Sequence, residues 1–394
     1  NELSFGVNNA FVRAMTDGST DASEEWLVYM PSMCGQTEER MRHVLEFDVA
    51  SVEQPNQIPG AFIVHLEQAM NIRNELLAID EVVRWSIIQP HDNQPRFIPN
   101  DPSFSSQWHL QNTGQGSGTV GEDANVTGAW DSVRGSNVLI SVVDDGVDHQ
   151  HNDLSPNYLD AVDWDYCGND GNPTPSSNDG HGTSAAGVAA GIGDNNYGIS
   201  GAAMDADLIG IRLIACSNTD QDEADAIGHR RDLVAVSSNS WGPSDSGKVV
   251  SGPGPLLQAS LEDNMYQGRG GLGTIVTLAG GNGRNNDDNS NYDGYANSRF
   301  TIGVAAITDY GNQAWYSEDG ANILVAAHSR GGAQGITTAD VRGSGGYTST
   351  DINNNFGGTS SATPLVSGVI ALMLEANPSL TYRDVQHVLV HSAR

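Results

Sequence analysis

The sequence predicts an α/β fold, a parallel β-sheet flanked by helices, preceded by a small α+β domain. Three observations carry this. From Trp108 onward, apolar runs rich in Val and Ile alternate with helical patterns: Val138–Val143, Leu208–Ile214, Val234–Ser240, Thr274–Ala279 and Phe300–Ile307. Strands apolar along their whole length are those covered on both faces, as in parallel sheets under helices. Before Trp108 the texture differs, with shorter strand patterns separated by two helical ones. The third observation is length: 394 residues suffice for one large domain and a smaller one.

Residues 1–24 are polar with little periodicity. A strand pattern follows at Trp26–Met30, then a helix at Glu38–Val49 and a strand interrupted by Pro55 and Pro59. Next come a strand at Ala61–Glu67, a helix through Arg73–Asp80 and a strand at Val82–Ile88. This βαββαβ order is that of a ferredoxin-like split βαβ sandwich. Gln89–Pro102 contains prolines and reads as an extended linker. The resulting divisions are a polar segment 1–24, a small domain 25–90, a linker 91–102 and the main domain 103–394. Within the last, the small residues from Gly182 to Gly191 suit a closely packed helix, and an apolar helix runs from Ser361 to about Ala376. Pro364 is tolerable in its first turn, where no amide hydrogen is needed. A last helical pattern ends just before Arg394.

Composition excludes several classes. Acidic residues outnumber basic ones 49 to 18, a formal net charge of -31. Such a surface repels nucleic acid and attracts cations and basic peptides; it also suits a strongly hydrated protein in high salt. The 46 glycines cluster around loops and follow no collagen-like period. No run of about 20 apolar residues is present, so no membrane span is expected. No signal peptide is visible, but the sequence begins at Asn1, so an export signal preceding it is compatible with secretion. Three cysteines, Cys34, Cys167 and Cys216, are too few for a disulfide scaffold and fit no zinc spacing. A Cys167–Cys216 bridge and two free thiols are both compatible with the sequence.

Three stretches carry chemistry: Val142-Val143-Asp144-Asp145-Gly146, Asp179-Gly180-His181-Gly182-Thr183 and Gly358-Thr359-Ser360-Ser361-Ala362. Each puts one member of an acid–base–nucleophile set at the end of a regular element, beside glycine. A serine hydroxyl is a poor nucleophile near neutral pH unless an imidazole takes its proton and a carboxylate orients that imidazole. Asp144 follows an apolar strand, as do Trp241 and Asn282, and sites in such sheets lie beyond the carboxyl ends of strands. Ser360 opens a helix, whose positive end favours developing negative charge. Taken singly, an Asp-Gly is usually a turn and a Ser before a helix usually a cap. Their joint occurrence, in order and in this context, reads as a serine endopeptidase.

These segments resemble those of the subtilisin-like serine proteases (subtilases), and within them the kexin/furin proprotein-convertase branch including its bacterial members. The branch-specific residues are Ser240-Trp241-Gly242-Pro243, Gln267-Gly268-Arg269-Gly270-Gly271, Asp293-Gly294-Tyr295, Trp315-Tyr316-Ser317-Glu318 and Leu374-Glu375-Ala376-Asn377. The resemblance spans about Asp101 to Ala393 and implies a subtilisin-like fold, with Asp144, His181 and Ser360 as triad and Asn282 as oxyanion donor. The chain order Asp, His, Ser is that of subtilisin.

The resemblance further implies subsites lined by carboxylates and cleavage after Arg or Lys. Asp245 and Asp293 match S1 acids, Asp145 one wall of S2, and Glu223 an acid serving S4. Ser240, Trp241, Gly242 and Tyr295 belong to the same substrate cleft. The second S2 acid falls on Asn178, with Asp179 beside it, and another S4 acid falls on Ser251. A firm P1 preference, a moderate P2 preference and a loose P4 preference follow. Ca2+ is the implied cofactor. Asp245, Asp288 and Glu318 match one calcium site; Asp101, Asp153, Asn195 and the carbonyls of Ile192, Tyr197 and Ile199 match a second. Asp165 and Asp170 suggest a third, although the further acid of the family is Asn172 here. Hard oxygen donors suit calcium over zinc or copper.

The N-terminal segment resembles a subtilase prosegment, a folding chaperone and inhibitor, with Arg96 in Gln94-Pro95-Arg96-Phe97 as its cleavage point. The expected protein is thus a secreted or periplasmic zymogen acting on peptides and proteins with basic residues. Activity should fall as pH drops through the His181 pKa, ordinarily near 6.5. The competing expectations are a broad-specificity secreted subtilase, a permanent accessory domain in place of the prosegment, and an inactive binding protein. The family's further β-rich domain would follow Arg394.

Overall fold

The computed structural model describes residues 97–393 and, before them, four strands: Glu25–Tyr29 (β1), Val49–Glu53 (β2), Ala61–Leu66 (β3) and Arg84–Ile88 (β4). The chain divides into two compact units, Asn1–Pro95 and Arg96–Arg394. In the first, the strands form an antiparallel sheet in the order β2-β3-β1-β4. Phe62 and Val64 are both buried, two residues apart on one face, and Val52 lies in register with Val64. The helix expected to reach Val49 instead gives way to β2 there. The helices expected over residues 38–48 and 73–80, Cys34, the segment 1–24 and Arg96 lie outside the described residues.

The second unit is built on a seven-stranded, wholly parallel sheet. Its strands are Leu139–Asp144 (β5), Trp164–Asp165 (β6), Asp207–Arg212 (β7), Val234–Asn239 (β8), Ile275–Ala279 (β9), Thr301–Ile307 (β10) and Ile323–His328 (β11). They lie in the order β11-β10-β9-β8-β5-β7-β6. All five apolar runs are strands, shifted by a residue or two at their ends. The edge strands β6 and β11 go beyond the five expected; β11 is partly exposed along its first four residues and lacks the continuous burial of the others. A separate antiparallel pair, Ile336–Ala339 (β12) and Ile352–Phe356 (β13), completes the strands.

Among the described residues the α-helices are His181–Ala190 (α1), Asp220–Ile227 (α2), Pro255–Gln267 (α3), Thr359–Ala376 (α4) and Tyr382–Ser392 (α5). Alternation along β5 feeds both faces of the sheet. Ile140 and Val142 join the core with Ala185, Ala186 and Ala189 of α1 and Leu365 and Ile370 of α4. Leu139 and Val143 pack on the opposite side with Ile209 and Ile211. Leu257 and Leu261 of α3 cover Val276 and Leu278 there. Capping boxes Thr219–Asp222 and Thr381–Asp384 start α2 and α5. Among the described residues, α4 alone is long and apolar enough to cross a membrane, and 72% of it is buried inside this unit.

Helices α1 and α4 approach closely because of small residues. A Cβ on Gly368 would stand 2.7 Å from the Ala189 carbonyl oxygen and 2.7 Å from the Ala202 Cβ. We expect Gly368→Val to destabilise the unit by about 1–3 kcal/mol through overpacking. Denaturant unfolding followed by tryptophan fluorescence checks this, and an unchanged midpoint would count against the close helix contact.

Candidate active site

The site assembles where the carboxyl ends of β5, β8 and β9 meet the amino ends of α1 and α4. Asp144 is the last residue of β5 and is 1% exposed. Its carbonyl accepts from the amides of Leu213 and Ile214 at 2.8 and 3.2 Å, which fixes the strand end. His181 is the first residue of α1, whose own N-cap, Gly180, offers no side chain. The Asp145 carboxylate supplies the missing acceptors, at 3.1 Å from the His181 amide and 2.7 Å from that of Gly182. Gly182 permits the contact: a Cβ there would stand 2.3 Å from the Gly146 carbonyl oxygen and 2.8 Å from the Asp144 Cβ.

That junction brings His181 Nδ1 to 2.8 and 3.0 Å from the two carboxylate oxygens of Asp144. Nδ1 donates, so the neutral ring presents Nε2 as a proton acceptor. The ring also stands edge-on to Phe356, with centroids 5.4 Å apart. Burial by itself favours the uncharged ring, but the Asp144 charge and hydrogen bond, with Asp145 behind, outweigh it. His181 is raised to about 9. Burial and then the Asp144 charge push the Asp145 carboxyl up to about 7.

Ser360 lies in the first turn of α4, after Gly358 at φ +77°. Because α4 starts at Thr359, Pro364 is its sixth residue and lies beyond the first turn expected for it; it has no amide hydrogen to give the Ser360 carbonyl, so that oxygen is released from the helix ladder. It accepts the Ser240 hydroxyl at 3.0 Å, while the Ser360 hydroxyl donates to the Ser240 carbonyl at 3.3 Å. The end of β8 and the start of α4 are clipped together in both directions. The Ser360 hydroxyl thus faces Ser240 and not His181; rotation about χ1 changes its acceptor without moving the backbone.

Asn282 follows β9 after Gly281, at φ +98°. A Cβ on Gly281 would stand 2.4 Å from the Glu318 carboxyl. Asn282 Oδ1 accepts from the Thr359 amide at 2.7 Å and the Thr359 hydroxyl at 3.1 Å. This commits the oxygen and leaves the Nδ2 amide as the donor the side chain can offer. A hydroxyl, an oriented imidazole and an amide donor at one strand-end cleft form a constellation able to support nucleophilic acyl transfer.

The other predicted residues gather around this centre. Trp241 donates from Nε1 to the Val143 carbonyl at 2.9 Å and stacks edge-on to Tyr295 at 5.6 Å. The Tyr295 hydroxyl donates to Glu223 at 3.1 Å, and burial raises Glu223. Asp293 Oδ1 accepts from the amides of Tyr295 and Ala296 at 2.8 and 3.3 Å. Its Oδ2 lies 3.0 Å from where a Cβ on Gly242 would be, and burial raises the group to about 6. Asp179 sits 3.3 Å from an Arg212 nitrogen.

Among the described residues, no three His, Cys, Asp or Glu side chains converge as a ready metal cluster. Asp245, Asp288 and Glu318 nevertheless line one narrow cavity together with Asp293. Glu318 is 4% exposed; burial, with Asp288 and Asp245 nearby, pushes it up to about 7. Asp101 and Asp153 hold the loop 192–200 by hydrogen bonds: Asp101 accepts from the amides of Asp194 and Asn195, and Asp153 from that of Ile199. Tyr197 donates its amide to Asn195 Oδ1, and Ile192 its amide to the Asp153 carbonyl. Asn195 turns Nδ2 toward Asp153 at 2.9 Å, so its oxygen is on the other side. Of the third acid pair, Asp165 is paired with Arg212 at 3.1 Å.

Cys167 and Cys216 form a disulfide, with Cα atoms 5.7 Å apart, which resolves the two alternatives left by the sequence. Arg212, the last residue of β7, is the site residue that sequence reasoning misses. The available signal was a lone arginine closing an apolar strand in a chain with only 18 basic residues.

The profile of the subtilase family matches residues 135–394. A "PC3-like endoprotease variant B" of Hydra vulgaris is 41% identical over 306 residues, covering 75% of this chain and 42% of that protein. The human "Proprotein convertase subtilisin/kexin type 7" is 34% identical over 407 residues, covering 96% of this chain and 50% of that one. Among solved structures, a serine protease of Aeromonas sobria is similar at a TM-score of 0.70 and 28% identity, covering 77% of this chain and 59% of that protein. The chain thus spans half or less of the length of these two curated relatives.

The Asp144–His181 contact sets the titration of the ring. An NMR titration of the His181 imidazole should give a pKa above the ordinary 6.5, and Asp144→Asn should bring it down. An unshifted value in the variant would show that the carboxylate does not govern the ring.

Proposed function

The chain belongs to the subtilase family, and from that premise we propose that it is a calcium-dependent serine endopeptidase that cuts after Arg or Lys. The observation that carries the reading is the hydrogen-bonded Asp144–His181 pair, in the cleft where strand ends meet the start of α4 with Ser360 and Asn282. In this mechanism His181 Nε2 takes the Ser360 proton as Oγ attacks the substrate carbonyl carbon. The Asp144 carboxylate steadies the imidazolium that forms. The tetrahedral oxyanion is received by Asn282 Nδ2 and the Ser360 amide, each such donor contributing about 2.7–4 kcal/mol of transition-state stabilisation. His181 then gives its proton to the leaving amine, leaving an acyl-enzyme on Ser360. It next takes a proton from water as that water attacks the acyl carbon, and passes the proton to Ser360 Oγ as the acyl C–O bond breaks and the acid is released. Because His181 works as a neutral base, its raised pKa moves the acid limb of the rate profile above pH 6.5.

Asp293 and Asp245 provide the charge for a basic P1 side chain, and Glu223 with Tyr295 the more distant wall. The endoprotease name of the Hydra relative and the proprotein-convertase name of the human one support an endopeptidase acting on protein substrates. The acidic cavity of Asp245, Asp288 and Glu318 suits a hard divalent cation, which would relieve carboxylate repulsion behind the P1 wall. A second ion would be held by Asp101, Asp153, Asn195 and the carbonyls of Ile192, Tyr197 and Ile199, replacing hydrogen bonds of that loop. The disulfide supports an oxidising, secreted or periplasmic setting. Residues 25–90 would act as the protein's own inhibitor and folding aid, released by a cut after Arg96.

Fluorogenic peptides ending in Arg should be cut in strong preference to those ending in Leu, and Asp293→Ala should lower kcat/KM for Arg peptides about tenfold to a hundredfold. A calcium chelator in the same assay should reduce the rate. Equal rates for Arg and Leu peptides would sink the acidic pocket. Separately, intact-mass analysis should give a shorter wild-type protein than Ser360→Ala; equal lengths would refute self-cleavage.

A further inference from the structure

The P2 side implied for the cleft holds an internal arginine with several protein partners. Arg212 is 13% exposed and closes β7 directly beside Asp144, its partner in the ladder. Its guanidinium makes four hydrogen bonds to three separate segments of the chain. Nε donates to the Asp145 carbonyl at 3.1 Å, and Nη1 to Asp165 at 3.1 Å. Nη2 donates to the Ser176 hydroxyl at 2.9 Å and to Asp179 at 3.3 Å. The disulfide Cys167–Cys216 braces the chain on either side of these contacts. Meanwhile both Asp145 carboxylate oxygens face the α1 amides. The position expected to carry the second acid is Asn178, whose backbone is left-handed at φ +75° and whose amide is held by the Gly345 carbonyl.

We propose that Arg212 determines P2 specificity: it neutralises Asp179 from inside the protein, so that the subsite takes a neutral side chain and the enzyme cuts at single basic residues. This deepens the reading of a P1-basic endopeptidase and rests on it. The acids that would attract a P2 cation are already spent, Asp145 on the helix terminus and Asp179 on Arg212. A P2 lysine would have to displace an internal guanidinium that has four protein partners. The chain's own candidate cut fits: in Gln94-Pro95-Arg96-Phe97 the residue before the arginine is proline. Arg212 acts through Asp179, so it is a positioning residue and does not touch the reacting atoms.

The test uses peptides with Arg fixed at P1 and Ala, Pro or Lys at P2. In the wild type, kcat/KM for P2 Lys should stay within about threefold of P2 Ala, below the effect of one strong charge pair. Arg212→Gln should raise the Lys-to-Ala ratio about tenfold by freeing Asp179. Asp179→Asn in the wild-type background, which keeps Arg212 and its other three partners, should leave the ratio within about twofold. A wild-type preference for P2 Lys of about tenfold or more overturns the proposal, as does a comparable loss of that preference in Asp179→Asn. Calorimetric binding of the same peptides to Ser360→Ala reads the P2 ratio without turnover. If no P1-Arg peptide is cut, the endopeptidase reading fails, and the binding ratio still decides the role of Arg212.

Discussion

The site depends on one helix terminus being capped from outside itself. Helix α1 begins with a histidine that has to point at Asp144, and Gly180 before it has no side chain to satisfy the first amides. The carboxylate of Asp145, the residue just after β5, fills that need. Because Asp144 and Asp145 are neighbours, the same strand end holds both the backbone and the ring of His181. The arrangement stores cost as well as order: desolvation first, and then repulsion from the Asp144 carboxylate beside it, push Asp145 up to about 7. The positive end of α1 and the His181 proton are what make that crowding tolerable.

A comparable logic governs the nucleophile side. Ser360 is positioned by reciprocal hydrogen bonds with Ser240, and Asn282 by its grip on Thr359. Beneath them Ser329 bonds the Gly358 carbonyl at 2.7 Å and the Ser361 hydroxyl at 2.6 Å. These supporting residues are small and hydroxylic, so they fit at high packing density while satisfying buried carbonyls. A rigid sheet therefore delivers three strand ends to two helix starts, and short polar contacts finish the alignment.

Most of this architecture was legible in the sequence for a simple reason. Central strands such as β5 and β8 are buried on both faces, and continuous burial leaves a continuous apolar run. The edge strands β6 and β11 have only partial burial and so leave no such run. The residues of the candidate site stood out because glycine and helix starts surround them, as at Gly182 and Gly358. Partnerships were not legible. Nothing in the string of residues says that Asp165 and Asp179 share one arginine, or that Asn195 turns its nitrogen toward Asp153. Cys167 and Cys216 are 49 residues apart, and only folding reveals that their loops meet.

Pro364 gives the last lesson. An imino acid near the start of a helix is ordinarily just tolerated, yet here it removes a competitor. Any residue with an amide at that position would offer its hydrogen to the Ser360 carbonyl and draw it back into the spiral. The oxygen would then have less reason to hold Ser240, and the tether between sheet and helix would slacken at the spot where alignment matters most. Precision at this cleft is thus secured partly by a bond that the backbone is prevented from making.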